Sequence, residues 1–131
     1  MEKVKVVAHF LNSRLVKGYT NDFFPKKSSF HLSTSSSDSG LEIALNELKA
    51  LFFVKDFEGR AVHENKLYFE EDKPYQGRKA QVTFMDGEII IGTIQSYDTD
   101  RPGFFIIPAD KEDNNSRIFA VTGSVVDVTF L

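Results

Sequence analysis

Read from residue 80, apolar and polar positions alternate along the chain. Ala80, Val82 and Phe84 are separated by single polar residues, which is the period of a half-buried strand. Asp86-Gly87 follows as a hairpin signal, for which a two-residue type I′ turn is the expectation. The apolar run Ile89-Ile90-Ile91 starts the return strand, and Gly92 inside it predicts a bend where a curling sheet needs room. Pro102-Gly103 closes a polar loop over 98–103. Further strands are predicted at 104–107, 117–121 and 125–131, with a polar loop over 108–116.

The first part of the chain follows the same plan. Strands are predicted over 3–10, 14–23 and 30–33, with a weaker turn at Asn12-Ser13, a bend at Gly18 and a loop over 25–28. Displacing the sequence by 74 residues sets Phe10 on Phe84, Gly18 on Gly92, Phe30 on Phe104 and Lys27 on Arg101. Near the ends the displacement becomes 77, setting Leu51, Phe53 and Val54 on Val128, Phe130 and Leu131. Turn residues fall on turn residues and strand residues on strand residues, the mark of an internal repeat. Leu41, Ala44, Leu45, Leu48, Leu51 and Phe52 also fit helical spacing. The repeat, with Phe52-Phe53-Val54, argues instead for a strand, a tight turn at Asn46-Glu47 and a second strand. Ser33 to Gly40 is a low-complexity serine run.

These elements predict an all-β protein made of two tandem small antiparallel five-stranded barrels of Sm-like or SH3-like type, packed together. Residues 1–54 form the first repeat and 79–131 the second. Residues 55–78 form an ordered linker, since Phe57, Leu67, Tyr68 and Phe69 are not the content of a free tether. A short strand is expected near 66–69. A lone unit of roughly 55 residues would be marginal, so two sharing a core are the more stable arrangement. Thirteen Phe and no Trp suit a thin β core.

Two resemblances attach to particular residues. Val82-x-Phe84-x-Asp86-Gly87, then Gly92, then Tyr97-Asp98, resembles the first motif of Sm-like proteins, and Phe119 to Val128 with Gly123 faintly resembles the second. That resemblance implies a barrel that could bind single-stranded RNA. The positions that would contact bases in such proteins carry Pro102 and Thr122-Gly123, and in the first copy Phe24 and Ser28 stand where Asp and Asn would be needed. Lys17-Gly18-Tyr19-Thr20, Asp22-Phe23-Phe24-Pro25, the run over 48–57, Asp100-Arg101-Pro102-Gly103-Phe104-Phe105 and Pro108-Ala109-Asp110 resemble, over nearly the full length, a family of uncharacterised bacterial proteins. Some members of that family are carried beside PilZ or signalling domains. The arginine-rich run by which PilZ-type sites grip a cyclic dinucleotide does not occur here.

Net charge is −3, which gives no general attraction to nucleic acid or anionic lipid. Cys is absent, and no apolar run approaches membrane-spanning length, so a cytoplasmic protein is expected. No nucleophile elbow, zinc-protease or phosphate-loop motif is present, and no cofactor is implied. His9, His31 and His63 read as partly exposed histidines rather than metal ligands, and Glu70-Glu71-Asp72 as a solvated charge run.

The strongest binding candidate is the pair of equivalent loops after the second strand of each copy. The first carries Phe24, Pro25, Lys26 and Lys27; the second carries Asp98, Arg101 and Pro102 and leads into Phe104. A cation beside an exposed aromatic is a common recognition pairing. The expectation is a non-enzymatic interaction or regulatory module binding a protein partner. Single-stranded RNA and a small molecule in the cleft between barrels are the alternatives.

Overall fold

The computed structural model describes residues 3–34, 40–58, 68–70 and 74–131. Residues 59–67, most of the serine run, His63 and Glu71-Asp72 lie outside the described residues, and so does part of the expected strand at 66–69. Residues 68–70 are not strand.

The fold is all-β. Five strands form the first half: β1 (Val4–Phe10), β2 (Leu15–Thr20), β3 (Ser29–Leu32), β4 (Leu41–Ala44) and β5 (Leu48–Val54). Five form the second: β6 (Arg78–Phe84), β7 (Ile89–Ile94), β8 (Gly103–Pro108), β9 (Asn115–Val121) and β10 (Val125–Phe130). One-turn 3₁₀ segments, Leu45–Glu47 and Thr122–Ser124, join β4 to β5 and β9 to β10. The stretch that could have been a helix is therefore strand, tight turn, strand. Among the described residues no helix is long and apolar enough to cross a membrane.

All named pairings are antiparallel. One eight-stranded sheet runs β10-β6-β7-β8-β9-β5-β1-β2, and β3-β4 form a two-stranded sheet. Hydrogen bonding thus passes through both halves in one open sheet instead of closing a separate barrel around each. The link is β5 against β9, where Leu51 faces Phe119 and Phe52 faces Ile118.

The pairings repeat between halves in register. Val6 faces Gly18 in β1-β2, and Ala80 faces Gly92 in β6-β7. Phe30 faces Ile43 in β3-β4, and Phe104 faces Ala120 in β8-β9. The β1-β5 and β6-β10 ladders each carry a register shift, beside Phe10 and beside Val125. Gly18 and Gly92 share a cause. A Cβ at Gly18 would lie 2.5 Å from the Ser33 carbonyl oxygen, and one at Gly92 would lie 2.3 Å from that of Ile107. Only glycine lets the second strand of each half approach the third so closely.

The hairpin tips also agree with each other, though not with the type I′ turn expected. Gly87 donates to the Phe84 carbonyl and Phe84 to that of Glu88, so the loop has three residues and only its third, Gly87, is left-handed (φ 92°). Ser13 takes that place at the first tip (φ 72°), and the Asn12 and Asp86 side chains accept the N–H of Arg14 and of Glu88. A three-residue loop of this kind needs one left-handed residue instead of two, which is why a serine can serve.

Two apolar clusters form the core. Ala80, Val82, Phe84, Ile94, Phe104 and Ile106 fill one, joined by Phe52 of β5. Val6, Phe30, Leu32, Leu48 and Leu51 fill the other, joined by Phe119 of β9. β5 and β9 lie between the clusters and feed both from opposite faces. That explains the unbroken apolar run Ala50-Leu51-Phe52-Phe53, since a strand covered on both faces loses its alternation.

Candidate functional site

Phe23 and Phe24 sit side by side in sequence and do opposite things. Phe23 turns inward, its ring 4.9 Å from that of Phe119 and 5.4 Å from that of Phe30, both edge-on. Phe24 turns out and is 44% exposed. The loop that holds it is a tight turn: Lys27 N–H donates to the Phe24 carbonyl at 3.0 Å, with Pro25 at the position whose fixed φ favours such a turn. Asp22 anchors the loop to β3, accepting the His31 N–H at 2.9 Å and facing His31 Nδ1 at 2.7 Å. Partial burial works against ionisation of Asp22, but the hydrogen bonds from His31 and from the Thr20 hydroxyl outweigh it and hold the carboxyl below its ordinary range.

The second loop is built alike. Arg101 N–H donates to the Asp98 carbonyl, and the Asp98 side chain caps the Asp100 N–H at 2.9 Å. Arg101 is held on three sides. Its Nη1 donates to Ser96 Oγ at 3.3 Å, its Nε lies 4.0 Å from the Asp98 carboxylate, and its carbonyl accepts from the Thr122 hydroxyl at 3.0 Å.

The two loops meet. Phe24, Pro25 and Lys26 from one, and Arg101 with buried Phe104 from the other, line a single cleft of about 430 Å³. Phe105, Ile107 and Phe119 supply the rest of its apolar wall. Of the other sequence candidates, Lys27 lies over the outer Phe24 ring at 4.9 Å from its centroid, and Asp98 acts through Arg101. Pro102 lines a neighbouring cleft of about 780 Å³ between the two 3₁₀ turns, with Asn46, Thr122 and Gly123, and Arg101 borders both clefts. The wall residues Phe105, Ile107 and Phe119 were not legible as site residues. They belong to ordinary strand patterns, and only the meeting of β8 with the first loop turns them into a surface.

A third cleft, about 410 Å³, lies between the hairpin tips, with Lys49 and Asp86 in its lining. Lys49 stands at the register shift of β5, its side chain 10% exposed, with Nζ 2.7 Å from Asp86 Oδ2 and hydrogen-bonded to Glu88. Burial opposes its charge, yet the two carboxylates hold its pKa above the ordinary lysine value. His9 packs against Phe52 with the rings tilted, centroids 4.0 Å apart, and burial, with Lys49 nearby, lowers its pKa from 6.5 to about 4. His31 is exposed on β3. Among the described residues no group of three or more His, Cys, Asp or Glu side chains is placed to hold a metal ion.

An apolar trough with cations at its rim can seat an apolar side chain and neutralise an anion beside it. The model of a family of unknown function matches residues 2–131, almost the entire length. The chain belongs to that family, DUF6982. No curated protein and no solved structure gives a significant match.

Proposed function

We propose that this member of DUF6982 is a non-enzymatic interaction module of the bacterial cytoplasm, made of two copies of one five-stranded Sm-like unit. The cleft between the two proline-and-cation loops binds a protein segment carrying an aromatic or aliphatic side chain next to a carboxylate. The observation that carries this reading is the convergence of Phe24 to Lys26 with Arg101 and Phe104 on one apolar cleft. Its walls, Phe104 and Phe119, are buried core residues fixed by packing, so the trough is largely formed before a ligand arrives. Lys26 and Arg101 give the rim its charge, whereas the chain as a whole is acidic.

Selection from a displayed random-peptide library tests it. The enriched sequences are expected to pair an apolar residue with Asp or Glu, and to lose about tenfold or more in affinity against Phe24→Ala and against Arg101→Glu. A selection with no common pattern, or peptides indifferent to both substitutions, contradicts the reading.

The 780 Å³ cleft supports a second reading, a small-molecule site between the units. It predicts binding that is sensitive to Asn46 and Thr122 and indifferent to Phe24. Single-stranded RNA has less support, because Pro102 and Thr122-Gly123 stand where base-contacting side chains would be needed.

A further inference from the structure

The pairing of β5 with β9 joins the last strand of one half to the fourth strand of the other. Among the described residues, the matching strands β10 and β4 are left with one partner each, β6 and β3. Their free edges are the two surfaces from which the inner joint is made. We propose that a second copy of this chain adds its β10 to β4 in the register of the β5-β9 joint, so that copies associate head to tail.

The register follows from the repeat. Moving Leu51↔Phe119 and Phe52↔Ile118 by the 77 residues that relate the halves in this region gives Val128↔Glu42 and Thr129↔Leu41 between chains. The backbone groups point the right way. Leu131 N–H donates inward to Lys79, so strand alternation turns the N–H groups of Val128 and Phe130 outward. Leu45 N–H donates inward to Ser28, so those of Glu42 and Ala44 face out. Val128 and Glu42 are therefore the pair that exchanges two hydrogen bonds, as Leu51 and Phe119 are within the chain. The free edges carry apolar side chains left in water: Leu41 is 75% exposed and Val126 is 61% exposed. The contact is heterologous, so it forms open chains or closed rings rather than a twofold dimer.

The outer joint is weaker than the inner one. Val126 occupies the place of Lys49, and Asn12 and Arg14 those of Asp86 and Glu88, so the ionic clamp has no counterpart.

This proposal rests on the two-copy reading and is independent of the peptide cleft, which Glu42 does not line. Sedimentation equilibrium of the full chain is expected to show an average mass that climbs above 14.9 kDa with concentration. Glu42→Pro, which deletes an outward N–H on an edge strand, is expected to hold it near the monomer mass while peptide binding persists. A wild-type mass fixed at the monomer value up to about 1 mM overturns the proposal. Should Glu42→Pro fail to fold, disulfide trapping decides in its place. The chain has no cysteine, so Leu41→Cys and Thr129→Cys can be mixed as single-cysteine proteins. A dominant mixed dimer is expected; homodimers of either variant in equal or greater amount would overturn the head-to-tail contact.

Discussion

Lys49 reaches from the shifted register of β5 to Asp86 at the tip of the β6-β7 hairpin, with 2.7 Å between Nζ and Oδ2. The ion pair crosses from the first half to the second, beside the strand pairing that joins them. Lys49→Met keeps the apolar stem and removes the charge. Asp86 and Glu88 are half exposed and can rehydrate, so the loss is set at about 1–2 kcal/mol, below that of a fully buried pair. Urea unfolding in low and high salt checks it: the wild type should lose stability with salt and the variant should not.

His9 makes stability fall in mild acid. Burial, then the Lys49 charge, lowers its folded pKa to about 4, whereas the unfolded chain takes up the proton near 6.5. The unfolded state binds more protons in that window, so stability drops as pH falls from 6.5 to about 4 and this contribution levels off below it. The full shift would correspond to about 3 kcal/mol, and residual exposure of the ring reduces this to roughly 1–2 kcal/mol. The depressed Asp86 pKa, caused first by the Lys49 hydrogen bond, adds a further loss as pH falls through the folded value of that carboxyl, below 3.8. Thermal unfolding across pH 4–7 should show a slope that His9→Gln flattens.

Two glycines separate packing from flexibility. Gly92→Ala places a methyl 2.3 Å from the Ile107 carbonyl oxygen and 2.7 Å from Ile106, so β7 must part from β8, at a cost of about 3 kcal/mol or more. Gly123→Ala meets nothing within 4 Å and should change stability by less than about 0.5 kcal/mol. Denaturation midpoints of the two variants give the contrast directly.

The strands were legible because turn chemistry and apolar spacing act locally. Gly18 and Gly92, like Asn12 and Asp86, answer to matching backbone needs 74 residues apart, and the two 3₁₀ turns lie 77 apart. The partner of each edge was not legible. Nothing within the run Leu48 to Val54 says that β5 pairs with β9 instead of closing on its own half, although its apolar residues on both faces signal a central strand. Lys49 was missed for a related reason. The register shift at β5 gives it a place that alternation alone would not. The candidate loops were found from composition. Their equivalent places in the two halves suggested one composite surface, the fold sets them on one cleft, and Lys27 and Asp98 brace Phe24 and Arg101.

The central claim is that the two loops act as one binding surface. It is tested most directly by NMR titration of the chain with a selected peptide that pairs an aromatic residue with a carboxylate. Amide shifts are expected in both Phe24 to Lys27 and Asp98 to Phe104, saturating together with one dissociation constant and vanishing from both loops in Arg101→Glu. Shifts confined to one loop, or centred on Asn46 and Thr122 instead, would contradict it.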